Sequence, residues 1–108
     1  MLAIVLVVGA ACGAGAAFGA ETTQAVAERV YAKWCGSCHD PGTGHPGTQR
    51  LEWSFGKDKA VLKQRTDLDA DYVKHVVRNG RLEMPALRPT EISNAELNAL
   101  ADMLAAKE

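Results

Sequence analysis

Residues 34–40 read Trp34-Cys35-Gly36-Ser37-Cys38-His39-Asp40. Two thiols stand three positions apart, and an imidazole follows the second directly. Three chemistries use such a group. A Cys-x-x-Cys pair serves as a redox disulfide at a strand-to-helix turn in thioredoxin-like parallel-sheet units. The same pair supplies half of a structural zinc site, which needs four ligands and usually a second Cys or His pair at short spacing. Cys-x-x-Cys-His is also the attachment signature of c-type haem. There the thiols add to the two vinyl groups on one edge of the porphyrin, and the adjacent imidazole reaches under the ring to the iron.

The flanking sequence separates these readings. Upstream, Val26, Ala27, Val30, Tyr31 and Trp34 fall on one stripe with helical spacing that runs straight into Cys35. The motif therefore follows a helix, which counts against the thioredoxin-like reading. No run alternates with period two, so no sheet is expected. His45 and His75 are singletons, which leaves a zinc site without its second pair. The haem reading has a candidate for the second axial position in Met84, within Asn79-Gly-Arg-Leu-Glu-Met-Pro-Ala-Leu87. A thioether opposite the imidazole gives a His39/Met84-ligated iron and raises its reduction potential. Such an iron is coordinatively saturated, and moves electrons without binding a substrate. Pro85 stiffens the strap that carries the sulfur. The competing reading of Met84 is core filler, the reading given to Met103 on the last helix. His75, beside Lys74 and Arg78, is read as a solvated surface residue, and His45 lies too close to His39 in sequence to reach the opposite face.

Further elements can be placed from caps. Asp69 suits an N-cap, and Asn79-Gly80 a left-handed C-terminal turn, of a helix over the intervening residues. Ser93-Asn94-Ala95-Glu96 is a capping box, followed by the apolar stripe Leu97, Leu100, Ala101 and Leu104. Pro41 to Gly47 is Gly/Pro-rich and expected to be loop. A short helix is expected over Asp58 to Arg65. The fold class is expected to be all-α, about three to five helices, which under the haem reading would wrap around one covalently bound haem.

The 108 residues bound the chain to one functional domain. Residues 1–20 carry no charged side chain and end in small residues, which reads as a signal peptide with Ala17-Phe18-Gly19 as one cleavage motif. No Lys or Arg precedes the apolar run, which points to a start upstream of Met1. An uncleaved anchor over Leu2–Ala20 and a lipid-bearing Cys12 are the rival readings, and all three export the domain. Residues 21–108 are left as the functional domain, with Cys35 and Cys38 its remaining thiols. Domains this small often need a staple, and haem would supply an apolar body and two thioether links. The formal net charge of −1 shows none of the basic bias of a nucleic-acid binder.

Over residues 24–106 the sequence resembles the small class I c-type cytochromes. The resemblance rests on Tyr31 four before Cys35, Cys35-Gly-Ser-Cys-His39, Gly44-His-Pro46, the Tyr72-to-Gly80 helix, Met84-Pro85 and the closing helix. Within that class, Tyr72-Val-Lys-His-Val-Val-Arg-Asn-Gly80 followed by Met84-Pro-Ala86 resembles the cytochrome subunits of p-cresol methylhydroxylase-type flavocytochromes. The resemblance implies a class I cytochrome c fold whose first and last helices cross, here Ala27 and Tyr31 against Leu97, Leu100 and Ala101. It implies a proline carbonyl that orients the axial histidine, by position Pro46 accepting from the His39 ring N–H. Thr48 to Thr66 looks like an insert relative to the smallest members. Within it Trp53 and Arg65 are candidates for a haem propionate, with core packing and a solvated surface role as their respective alternatives.

The implied function is a periplasmic monohaem electron carrier, not itself an enzyme. It would pass single electrons from a flavin- or quinone-cofactor dehydrogenase to a respiratory acceptor, touching the membrane only if residues 1–20 are retained. Arg78, Arg81 and Arg88 would form a basic rim steering an acidic partner, or be ordinary solvated arginines. The alternative is a dedicated electron-accepting subunit of a flavoprotein or quinoprotein dehydrogenase complex. An open-site haem enzyme or gas sensor is the third reading, against which Met84 argues.

Overall fold

A computed structural model describes residues 8–10, 13 and 19–106. The signal, anchor and Cys12 readings fall on residues 1–20 and lie outside the described residues apart from the few positions just named. Among the described residues no helix is long and apolar enough to cross a membrane.

Among the described residues five α-helices form, and no strand: α1 Thr23–Trp34, α2 Gly36–His39, α3 Pro46–Phe55, α4 Ala70–Asn79 and α5 Asn94–Ala105. The all-α expectation holds. Helix α1 starts where the Thr22 side chain accepts the Ala25 N–H. Helix α4 starts where Asp69 accepts from the Tyr72 N–H at 3.0 Å. Helix α5 carries the full capping box, with Ser93 and Glu96 each satisfying the other's backbone N–H.

Two segments differ from expectation. Helix α3 begins at Pro46, inside the stretch expected to be loop, because proline's fixed φ and missing N–H suit the first helical position. Residues 58–65 do not form one helix. Two 3-10 turns, Lys57–Lys59 and Leu62–Gln64, are separated by Val61 in extended backbone. Ala60 between them is buried, so this segment is shaped by what it covers.

The core is a contact of the first helix with the last. Val30 and Tyr31 of α1 share one buried cluster with Leu97, Leu100, Ala101 and Leu104 of α5. Ala27 is fully buried at the same crossing, where its small side chain lets the helices approach. Val73 and Val77 of α4, Ile92 and Cys35 complete the cluster. Truncating a fully buried side chain such as Leu100 costs about 2–5 kcal/mol. The Arg29 pairs with Glu21 and Glu96 are exposed, and contribute little by comparison.

Candidate functional site

Helix α1 ends at Cys35, whose N–H bonds the Tyr31 carbonyl at 2.9 Å. A single further helical turn follows: the Cys38 and His39 N–H groups both reach the Cys35 carbonyl, at 3.1 and 3.0 Å. Positions i, i+3 and i+4 of a helix share one face, so this turn brings Cys35, Cys38 and His39 together. The chain then leaves the helix at Asp40. Gly36 lies under that exit, where a Cβ would stand 2.9 Å from an Asp40 carboxylate oxygen.

Side chains from both neighbouring helices pin the turn. The Tyr31 hydroxyl donates to the His39 carbonyl at 3.2 Å, and the buried Thr48 hydroxyl of α3 donates to the Asp40 carbonyl at 2.8 Å. His45 Nδ1 lies 2.9 Å from the Ser37 carbonyl, to which it donates. At Gly47 the backbone presses on the imidazole itself. A Cβ there would stand 2.6 Å from His39 Cε1 and 2.7 Å from the Cys38 carbonyl oxygen.

Burial sets the electrostatics. It pushes the Cys35 thiol up to about 11, with smaller contributions from Cys38 and Asp40. It lowers the His39 pKa, with Asp40 opposing, and so favours the neutral imidazole that ligates a metal. It also raises the Tyr31 phenol, which therefore remains a donor.

The strap bearing Met84 is built from the end of α4. Gly80 has φ 73° and ψ 172°. Its φ is positive as expected, but the backbone is extended instead of left-handed helical, because the chain turns directly back under itself. Arg81 and Met84 exchange backbone hydrogen bonds of 3.1 and 2.9 Å around a two-residue tip where Leu82 has φ 53°. The Leu87 N–H then returns to the Val77 carbonyl at 2.8 Å. A Cβ at Gly80 would stand 2.6 Å from the Met84 carbonyl oxygen, so only glycine permits this crossing. Met84 is half-buried and packs against the cluster that contains Cys35. Met103 packs there too, in the filler role expected of it.

The other candidates lie apart. Trp53 is 81% exposed, which excludes core packing, and the Arg50 guanidinium lies 5.1 Å from its ring centroid. Arg65 makes a two-pronged contact with Asp67, at 2.9 and 3.0 Å. Its side chain is only 13% exposed, against the solvated role. His75 is an exposed helix residue whose ring nitrogen meets the Asn79 amide. Arg88 pairs with Glu91 and Arg81 donates to the Tyr72 hydroxyl, but Arg78 turns inward.

These observations test the three readings of the motif. Among the described residues no strand precedes it. No three His, Cys, Asp or Glu among the described residues gather in a way that could hold a metal. Cys35 and Cys38 are free thiols on one helical face, and His39 Nδ1 is buried with no hydrogen-bond partner. The bond expected from the His39 ring to the Pro46 carbonyl is not formed. Pro46 is the first residue of α3, and helical carbonyls point along the axis. Two thiols, a neutral imidazole and a thioether on a nearby strap form a donor set that fits haem c.

Sequence reasoning missed Gly47, Thr48 and the Tyr31 hydroxyl as supports of His39, and missed the inward role of Arg78. Thr48 opened a segment read as an insert, so its hydroxyl carried no signal. The Pro46-Gly47 step is a signal for a close approach, but the approach was assigned to the Pro46 carbonyl and Gly47 was read only as loop.

A protein-family model described as cytochrome c oxidase, cbb3-type, subunit III matches residues 22–104. No curated protein and no solved structure matches the chain. The matched span runs from the cap of α1 into the last turn of α5, and so includes both the Cys35–His39 turn and the Met84 strap. The chain thus belongs to the family of cytochrome c oxidase, cbb3-type, subunit III, and is an electron-transfer haem protein of the class I c-type cytochromes.

Proposed function

We propose that the chain is a periplasmic electron carrier holding one haem c, bound through Cys35 and Cys38 and ligated by His39 and Met84. The observation that carries this reading is the helical turn that sets both free thiols on one face with the half-buried His39 imidazole. Haem c supplies an iron that exchanges single electrons between its ferric and ferrous states. The chain's own residues do the rest. Tyr31 and Thr48 fix the backbone on either side of the His39 carbonyl, and Gly47 limits rotation of the ring. Met84 would hold the iron as the second protein ligand, and would keep small ligands out so that the carrier does no chemistry of its own. Trp53, exposed on α3, offers its indole N–H to a propionate, and Pro46 sets the start of the helix that covers His39.

The upstream partner in this reading is a flavin- or quinone-cofactor dehydrogenase, as for p-cresol methylhydroxylase-type cytochromes, and the downstream one a respiratory acceptor. The basic rim narrows to Arg81 and Arg88, since Arg78 faces inward. Residues 1–20 direct export, as a signal or an anchor. A second reading, a dedicated subunit of a larger redox complex, is favoured by the family's description as an oxidase subunit. Co-purification of a stoichiometric partner distinguishes it from a free carrier.

The test is an absorption spectrum of the exported protein, oxidised and reduced, with carbon monoxide added to the reduced form. A far-red sulfur-to-ferric-iron band, and no response to carbon monoxide, are expected. Absence of the band together with ready carbon monoxide binding would replace the carrier by an open-site haem protein.

A further inference from the structure

The Met84 strap is a loop tied at its ends. At its start the Gly80 N–H bonds the Val76 carbonyl at 2.7 Å, and at its finish the Leu87 N–H bonds the Val77 carbonyl at 2.8 Å. One side chain makes a further tie. Arg78, in the last turn of α4, donates from Nη1 to the Leu87 carbonyl at 3.1 Å and from Nη2 to the Asn94 side-chain oxygen at 2.8 Å. Leu87 is thus held through both its N–H and its C=O. Asn94 is the first residue of α5, directly after the capping Ser93. The planar fork of a single guanidinium therefore joins the end of α4, the end of the strap and the start of α5. It is half-buried, where a charge-assisted hydrogen bond is worth more than one in water.

We infer that Arg78 is a positioning residue for Met84: it fixes the return of the strap and so keeps the thioether in its place against competing ligands. This rests on the His39/Met84 reading above. An arginine expected to serve a docking rim instead acts on Met84 through the end of its strap. Lysine cannot replace it fully, because one ammonium cannot present the same rigid pair of donors to a carbonyl and an amide oxygen on different elements.

The experiment uses the haem-loaded full chain. It measures the affinity of the ferric form for imidazole, which must displace Met84 to bind, alongside the far-red band and the thermal midpoint. Arg78→Ala is expected to bind imidazole roughly tenfold more tightly than wild type, on the scale of one lost hydrogen bond to a charged group. Arg78→Lys and Asn94→Ala, which each retain part of the network, are expected to give smaller increases of the same sign. They carry the test if Arg78→Ala does not fold. A fall in thermal midpoint with unchanged imidazole affinity in all folded variants would make Arg78 a stabilising residue only, and overturn the inference. A wild type without the far-red band would instead refute Met84 ligation, and the inference with it.

Discussion

The His39 turn and the Met84 strap both reach one buried cluster, through Cys35 and Met84 respectively, but they are held in different ways. His39 belongs to a helical turn continuous with α1, and hydroxyls from the helices before and after it fix its exit. The strap is fixed at its two ends and by Arg78, while Leu82 at its tip is 79% exposed. One proposed ligand is part of a helix, and the other is suspended from hydrogen bonds. Segments with few buried contacts open at lower free energy than core elements, so the strap is the side expected to give way first.

The largest effect should come from removing each proposed ligand in turn. His39→Ala is expected to abolish the low-spin haem spectrum. Met84→Ala is expected to keep covalently bound haem while admitting carbon monoxide to the reduced iron. Indistinguishable spectra from the two variants would break the contrast.

Glycine substitutions probe the backbone on each side. Gly80 occupies a region of φ/ψ space essentially restricted to glycine, so Gly80→Ala is expected to cost about 1–3 kcal/mol from backbone strain before its clash with the strap is counted. Gly47 is helical, where alanine is the better helix former, and only the contact with His39 and the Cys38 carbonyl opposes the change. Thermal unfolding should therefore show the larger loss at Gly80. The reverse order would mean that the His39 side has less room to adjust than the strap.

The smallest effect lies in the segment joining the two sides. Hydrogen bonds from Arg65 and then Lys59 hold the Asp67 carboxyl well below its ordinary range. A depressed carboxylate stabilises the fold above its unfolded pKa, and that contribution disappears as pH falls through the folded value. Asp67→Asn should leave a flatter decline of thermal midpoint in acid than wild type. The difference will be modest, because Asp67 is exposed. A variant whose acid decline parallels wild type would remove this segment from any account of how the two sides are joined.

Elements with local signals were legible. The caps at Asp69 and Ser93 and the α1 stripe stand where the sequence places them, because capping and periodicity depend on neighbours in the chain. Cys35, Cys38 and His39 share a face because their spacing matches one helical turn. What was not legible depends on partners distant in sequence. The Thr48 bond to Asp40, the pressure of Gly47 on His39 and the reach of Arg78 to Asn94 follow from how helices are laid together. The 3-10 turns near Ala60 were likewise missed, because burial and not propensity shapes them.

The crossing of α1 on α5 also orders events in time. Cys35 lies in the cluster that these two helices share, and α5 comes after the other described helices in the chain. Until it arrives, the cluster lacks Leu97, Leu100 and Leu104 and cannot close over the thiol. The unfolded chain therefore keeps Cys35 open to chemistry until α5 docks, and folding shuts that window behind it.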